Sequence, residues 1–394
     1  MRARGIGKIS ALALAALLYS RAAEADPYRL RADVYAFGST SVPAGLVVLS
    51  GQHRATSWVS AEALVWMGSG EATGDVLTAN VRLRDPEGRG EVRLGRMLTW
   101  AGAVRPLPMD GASVLGRIPG GPTLQVFGGV PVEPQFGARA YDWAVGSHLS
   151  QTLGGVGSVG ISYLQRRTEG NMAFQEIGFD AALSPFKWVD SAASLALDLL
   201  RASVNNARMS VAIRTGPARF ELFGIRRTPA HLLPATSLFA ALGDVATAQA
   251  GLTLAVKAFP RLDVWGTSAF ESIAGDLGGS QSLNATLRLD DRGDGAVGLE
   301  LRRQWAPDSG WTAARGMLRL PLVERLRFAT ELEAAVPDSP DGRGDVWPWG
   351  LVALSYAPVP RLDVTAGVEA SASPTYKSSI TAIARASMTW EGGR

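Results

Sequence analysis

The feature that most narrows what this chain can fold into is a period of two. From Ser379 to Trp390, the residues Ile380, Ala382, Ala384, Ala386, Met388 and Trp390 are apolar, and Ser379, Thr381, Arg385, Ser387 and Thr389 stand between them, with Ile383 the one exception. A strand turns successive side chains to opposite faces, so this stretch is a ribbon with one oily face and one wet face. A ribbon of about a dozen residues is longer than the usual soluble strand and long enough to cross a bilayer at a tilt. The pattern recurs. Leu77, Ala79, Val81 and Leu83 alternate with Thr78, Asn80, Arg82 and Arg84, and Leu283, Ala285, Leu287 and Leu289 alternate with Asn284, Thr286, Arg288 and Asp290. Val297, Leu299 and Leu301 do the same around Gly298, Glu300 and Arg302. No comparable stretch holds a 3.6-residue period, so little helix is expected.

The N-terminus supplies an address. Arg2, Arg4 and Lys8 precede an apolar run from Ile9 to Leu18, and Ala23-Glu24-Ala25 is the small-x-small pattern of a signal peptidase site. Residues 1–25 are therefore expected to be a cleaved signal peptide, the apolar run being too short for a transmembrane helix. Those residues also carry four basic groups against one acidic, which accounts for the whole formal charge of +3 and leaves residues 26–394 neutral. The pI of 9.3 is then no argument for nucleic acid. The chain has no cysteine, which excludes disulfides and thiolate metal sites. Mean hydropathy of +0.08 fits a barrel in which half of each strand faces water.

Connections alternate in length. Short turns are expected near Pro358–Pro360, Pro321–Glu324, Asp291–Gly295, Phe259–Pro260, Gly216–Pro217, Leu153–Gly157 and Pro119–Gly121. Longer loops are expected at Ser371–Lys377, Pro337–Asp345, Ser272–Ser280, Thr228–Leu242 and Pro131–Gly137. Pro260-Arg261-Leu262-Asp263-Val264 recurs as Pro360-Arg361-Leu362-Asp363-Val364, marking a repeated entry from turn to strand. Counting segments gives roughly 20 to 22 strands, or 16 to 18 if Ala44–Gly51, Asp110–Gly116 and Thr123–Gly129 are loops. The expected fold is all-β, one domain over residues 26–394, a transmembrane antiparallel up-and-down β-barrel. Trp66, Trp100, Trp188, Trp305, Trp311, Trp347, Trp349 and Trp390 fall near expected strand ends, where an indole can sit at a lipid boundary.

Signal peptide, alternating strands, two classes of connection and an aromatic near the end of the last strand together resemble the Gram-negative outer-membrane β-barrel channels, the porin-like class. The resemblance covers residues 26–394 and is one of pattern. It implies the outer membrane of a Gram-negative bacterium, lipid and lipopolysaccharide around the barrel, insertion by the barrel-assembly machinery, and passive or weakly selective solute diffusion without a cofactor. In that class the chain usually ends on the aromatic, whereas here Glu391-Gly392-Gly393-Arg394 follow Trp390. A second reading is a scaffold whose lumen houses a partner protein, as in porin-cytochrome conduits.

Lumenal selectivity candidates are the charged residues of the polar parity: Arg82, Arg93, Arg214, Arg219, Arg288, Arg302, Arg315, Arg319, Arg327, Arg385, Glu300 and Glu331. Arginine clusters can favour anionic solutes. Alternatively, these charges pair across neighbouring strands and keep the wall rigid and wet. The segment Thr228–Leu242, with His231, Leu232, Leu233 and Phe239, is the candidate constriction loop, because its apolar residues suit a solvated tip poorly. His148-Leu149-Ser150 is similar to the His-x-Ser of outer-membrane phospholipases, but Gln151-Thr152 stands where that family has Asn-Gly. His53, expected in a turn, and His231 have no second ligand nearby, so no metal site is expected.

Overall fold

The computed structural model describes residues 27–39, 43–69, 74–132, 142–228, 246–273, 275–306, 310–339, 345–373 and 376–392. They form one 22-stranded antiparallel sheet and no helix. In chain order the strands are β1 (Tyr28–Ser39), β2 (Pro43–Arg54), β3 (Val59–Gly68), β4 (Gly74–Arg84), β5 (Gly90–Thr99), β6 (Leu107–Arg117), β7 (Pro122–Pro131), β8 (Ala144–Leu153), β9 (Gly157–Thr168), β10 (Asn171–Phe186) and β11 (Val189–Asp198). They continue as β12 (Ser203–Thr215), β13 (Ala218–Arg227), β14 (Thr247–Phe259), β15 (Leu262–Ile273), β16 (Asp276–Arg288), β17 (Ala296–Trp305), β18 (Trp311–Val323), β19 (Leu326–Pro337), β20 (Trp347–Val359), β21 (Leu362–Ser373) and β22 (Tyr376–Gly392). Each strand pairs with its neighbours in sequence, and β1 pairs with β22 from Tyr28↔Gly392 to Ser39↔Thr381, which closes the sheet. Closure leaves no sheet edge, the condition for strands to cross lipid. The segments Ala44–Gly51, Asp110–Gly116 and Thr123–Gly129 lie within β2, β6 and β7, so the strand number is at the upper end of the expected range.

Curvature separates the two faces. On the convex outside, Leu222, Leu283, Leu299, Leu332 and Ile380 are 65, 51, 52, 63 and 57 % exposed. On the concave inside, neighbouring strands shield one another, and Ala196, Ala212, Ala269 and Ala313 are buried. Strands of 10 to 17 residues exceed the roughly 9 to 11 that a tilted strand needs to span hydrocarbon.

The expected short turns all fall at the end of the barrel that also holds Tyr28 and Gly392. Two of the expected longer loops, Ser272–Ser280 and Ser371–Lys377, are instead mostly strand: β15 and β16 are joined by residues 274–275, and β21 and β22 by 374–375. Serine and glycine there read as loop, but the ladder carries them on. His53 lies in β2 rather than in a turn. Trp188 and Trp305 are exposed at strand ends, each packed on a phenylalanine, Phe186 and Phe270. Trp311 and Trp349 depart from a lipid-boundary role: they turn inward, under the guanidinium groups of Arg302 and Arg315 at 5.4 and 5.2 Å.

The inside is not uniformly wet. Met97, Leu107, Met109, Phe127, Ala144, Leu164 and Phe174 form a buried apolar cluster on the inner face of β5 to β10, together with Ala101 and Val104 of the β5–β6 connection. The expectation that only polar side chains point inward fails along this arc. The reason is the connection itself, which folds into the barrel and covers them.

Candidate lumenal site

The covering segment is residues 100–106. Its first residue, Trp100, is 66 % exposed, but Ala101 and Val104 are buried against the wall. The turn that carries it inward needs glycine: Gly102 has φ +58, and a Cβ there would come within 2.4 Å of Asp180 Oδ1 and 2.6 Å of His148 Cδ2. Beneath it, His148 of β8 and Asp180 of β10 meet across β9, with Nε2 and Oδ1 3.1 Å apart. They can do so because the β9 residue between them is Gly160, where a Cβ would collide with both.

The other end of the segment is held by charge. The Arg105 backbone N–H donates to Glu176 Oε2 at 3.0 Å, and its guanidinium stacks on Phe174 at 3.6 Å from the ring centroid. Glu176, 1 % exposed, also accepts from Asn205 Nδ2 at 2.9 Å. Burial lowers the pKa of Arg105 to about 10, with Glu176 opposing the shift and Arg166 adding to it. The Arg105 guanidinium itself lies 4.0 Å from the Glu176 carboxylate, close enough for the opposite charge to offset part of the cost of its burial.

The expected selectivity residues form a different pattern. Arg82 and Arg93 both reach Glu91, at 3.1 and 2.7 Å. Arg302 meets Glu333 at 2.6 Å and Glu300 at 3.9 Å, and Arg315 meets Glu331. Arg288 meets Asp263 at 2.8 Å, Arg219 meets Glu221 at 2.9 Å, and Arg385 meets Asp33 at 2.9 Å. Arg214 pairs with Asp190 and Arg327 with Asp294, while Arg319 donates to the Gly293 carbonyl. The candidates are thus spread around the wall in local contacts, most of them ion pairs, with Glu91 shared by Arg82 and Arg93. His231, Leu232, Leu233 and Phe239, proposed to narrow the lumen, lie outside the described residues. The segment that does fold inward, 100–106, had one signal in the sequence: Met97 and Leu98 are apolar on both parities just before an uncharged Ala-Gly-Ala-Val connection.

His148 and Ser150 share the inner face of β8, opposite the exposed Leu149, and the His148 ring is engaged by Asp180 and covered by Gly102. Among the described residues, no group of three or more His, Asp or Glu side chains could hold a metal ion.

No protein-family model matches this sequence, and no curated protein matches it. Solved structures do. The translocation pore of the P pilus usher PapC aligns over 93 % of this chain and 99 % of its own, at 10 % identity and a TM-score of 0.52. PapC in an Escherichia coli P pilus tip assembly intermediate with PapD, PapK and PapG aligns over 94 % of this chain and 62 % of that one, at 11 % identity and a TM-score of 0.56. Pseudomonas aeruginosa OccD3 (OpdP) aligns over 93 and 91 %, at 9 % identity and a TM-score of 0.42. The chain shares the closed antiparallel barrel of outer-membrane channels.

Proposed function

We propose that this protein is an outer-membrane channel that passes small hydrophilic solutes through a lumen narrowed by its own β5–β6 segment. The observation that carries the reading is the sidedness of the closed sheet: an apolar outside from Leu222 to Ile380, and an inside where arginines and carboxylates pair. An apolar outside belongs in hydrocarbon, and a charged inside belongs around water. The likeness to the PapC translocation pore supports the architecture. The end with the short turns and both described termini would face the periplasm, and lipopolysaccharide would surround the other. Insertion would use the barrel-assembly machinery. Because the wall charges are neutralised locally, the channel would discriminate weakly by charge and mainly by size. No catalysis is assigned.

Conductance of the refolded protein in planar bilayers tests this. Discrete steps that grow when residues 101–105 are replaced by a short glycine-serine link are expected. An absence of steps in both forms would overturn the channel and favour a scaffold around a partner protein.

A further inference from the structure

One sector of the inner wall departs from local neutralisation. At the barrel end that holds Tyr28 and Gly392, β1 to β4 line a cavity of about 560 Å³, bounded on its other side by Glu391 of β22 and by Arg361, just before β21. Four arginines line it, Arg29, Arg54, Arg82 and Arg361, against two carboxylates, Glu62 and Glu391. Arg54 and Arg361 are exposed, and neither has an ion-pair partner among the described residues. Arg29 meets Glu391 at 3.1 Å with both side chains 60 % exposed, a pair that water weakens and a ligand can replace. Arg82 shares Glu91 with Arg93.

Register sets these groups in two rows on the inner face. In one row, Arg29, Gln52, Glu62 and Asn80 follow one another across β1 to β4. In the next, Arg54 faces Ser60 of β3, which faces Arg82. Arg54 is thus the diagonal neighbour of Arg29, with Cβ atoms about 7–8 Å apart. Arg361 flanks Arg29 from the other side of β22, where its carbonyl accepts from the Thr389 N–H at 2.9 Å. Ser60, between two arginines, leaves the floor open where a longer side chain would fill it.

The two ends of the first row ask for different chemistry. Around Arg29, planar guanidinium groups offer paired N–H donors that match phosphate oxygens. Two uncompensated positive charges suit a phosphate monoester, which carries close to two negative charges at neutral pH. Toward β3 the lining turns to acceptors. Glu62 Oε1 accepts from Asn80 Nδ2 at 2.9 Å, which leaves Oε2 open, and the exposed Gln52 has no side-chain partner among the described residues. A carboxylate accepts from hydroxyl groups and repels an oxyanion. Arg29 and Glu62 stand two strand spacings apart, about 10 Å, a span that a sugar ring with its phosphate ester can bridge. The volume lies in the range of small-ligand sites.

We infer that this sector is a binding site for a phosphorylated sugar, its phosphate held by Arg29 between Arg54 and Arg361 and its hydroxyls by Gln52 and Glu62. The site deepens the channel reading and rests on it, because the sugar phosphate arrives through the lumen. Lying along one side of a mouth, it concentrates that solute there without sealing the opening.

Calorimetric titration of the refolded protein in detergent tests the site with glucose 6-phosphate, glucose and inorganic phosphate as probes. Saturable binding of glucose 6-phosphate is expected, with inorganic phosphate roughly tenfold weaker and no saturable heat from glucose. Arg54→Gln/Arg361→Gln should weaken glucose 6-phosphate roughly tenfold or more. Ser60→Leu, which keeps every charge and fills the floor, should weaken it as well. Glu62→Ala should weaken glucose 6-phosphate while inorganic phosphate binds as tightly as before or more so. Arg219→Gln/Arg288→Gln removes the same charge from balanced pairs on other strands and should leave the affinity in place. Each variant should keep the compact band of a folded barrel on cold gel electrophoresis. The site is overturned if glucose 6-phosphate does not bind saturably, if inorganic phosphate or glucose binds as tightly, if folded Arg54→Gln/Arg361→Gln protein binds unchanged, or if Arg219→Gln/Arg288→Gln costs as much. Binding in detergent is read apart from conductance, so binding without conductance steps overturns the channel reading and upholds the site.

Discussion

At the scale of single residues, the barrel is closed around one aspartate. Asp33 is 7 % exposed on the inner face of β1 and accepts from Arg31 Nε at 2.7 Å, from Arg31 Nη2 at 3.0 Å and from Arg385 Nη2 of β22 at 2.9 Å. The Arg385 guanidinium also sits 5.6 Å from the Tyr35 ring centroid. Asp33→Ala would strip two guanidinium groups of their carboxylate at the closing ladder. Because both arginine side chains keep more than a third of their surface open to the lumen, the expected cost is modest, about 1–2 kcal/mol. A lowered urea midpoint for the refolded barrel checks it, and adding Arg385→Gln, which removes one of the two stripped charges, should recover part of the loss. Gly102→Val is predicted to act differently. Its side chain cannot share space with Asp180 and His148, and φ +58 disfavours a branched residue, so the inward segment should leave the wall at a cost of about 1–3 kcal/mol. Larger conductance steps with an intact barrel would be the signature.

Connections are the next scale, and Asp290 shows how one is built. In the segment 289–295, its Oδ2 accepts from the Gly295 N–H at 2.6 Å and its Oδ1 from the Asp294 N–H at 3.0 Å. These backbone donors, Gly295 foremost, hold the Asp290 carboxyl below the ordinary aspartate range. A depressed carboxylate stabilises in full above its unfolded pKa, near 4, and that stabilisation is lost as pH falls through the lower folded value. Amide exchange of Gly295 should therefore stay slow from neutral pH to about 4 and speed up, beyond its intrinsic pH trend, only in stronger acid. Asp290→Ala should exchange fast throughout. This turn was legible in the sequence because its residues bond to one another within a few positions, as were Gly216–Pro217 and Phe259–Pro260. The segment 100–106 was not. Its partners, His148, Phe174, Glu176 and Asp180, lie on strands well down the chain, so the one local signal, Met97 and Leu98 apolar on both parities, did not by itself show that an Ala-Gly-Ala-Val connection turns inward. The same limit applies to β15–β16 and β21–β22, where cross-strand pairing overrides residues that locally favour a loop.

For the molecule as a whole, period-two alternation was enough to indicate a closed transmembrane barrel, because lipid outside and water inside impose one parity on nearly every strand. It was not enough for β5 to β10, where the inside is partly protein. Removing β22 by ending the chain at Pro374 would leave β1 and β21 with exposed edges. Such a chain should fail to form the compact, heat-modifiable band of a folded barrel on cold gel electrophoresis, whereas the full chain should show it. The buried cluster under residues 100–106 has a mechanical consequence as well. It backs one arc of the ring with a second layer of packed side chains, from Met97 to Phe174, while among the described residues the remaining strands stand one layer thick. A hoop thickened along one arc does not deform evenly: under lateral pressure from the surrounding membrane, the thin arc takes up the strain, the opening becomes oval, and the thick arc keeps its shape as the fixed jaw against which the rest of the barrel flexes.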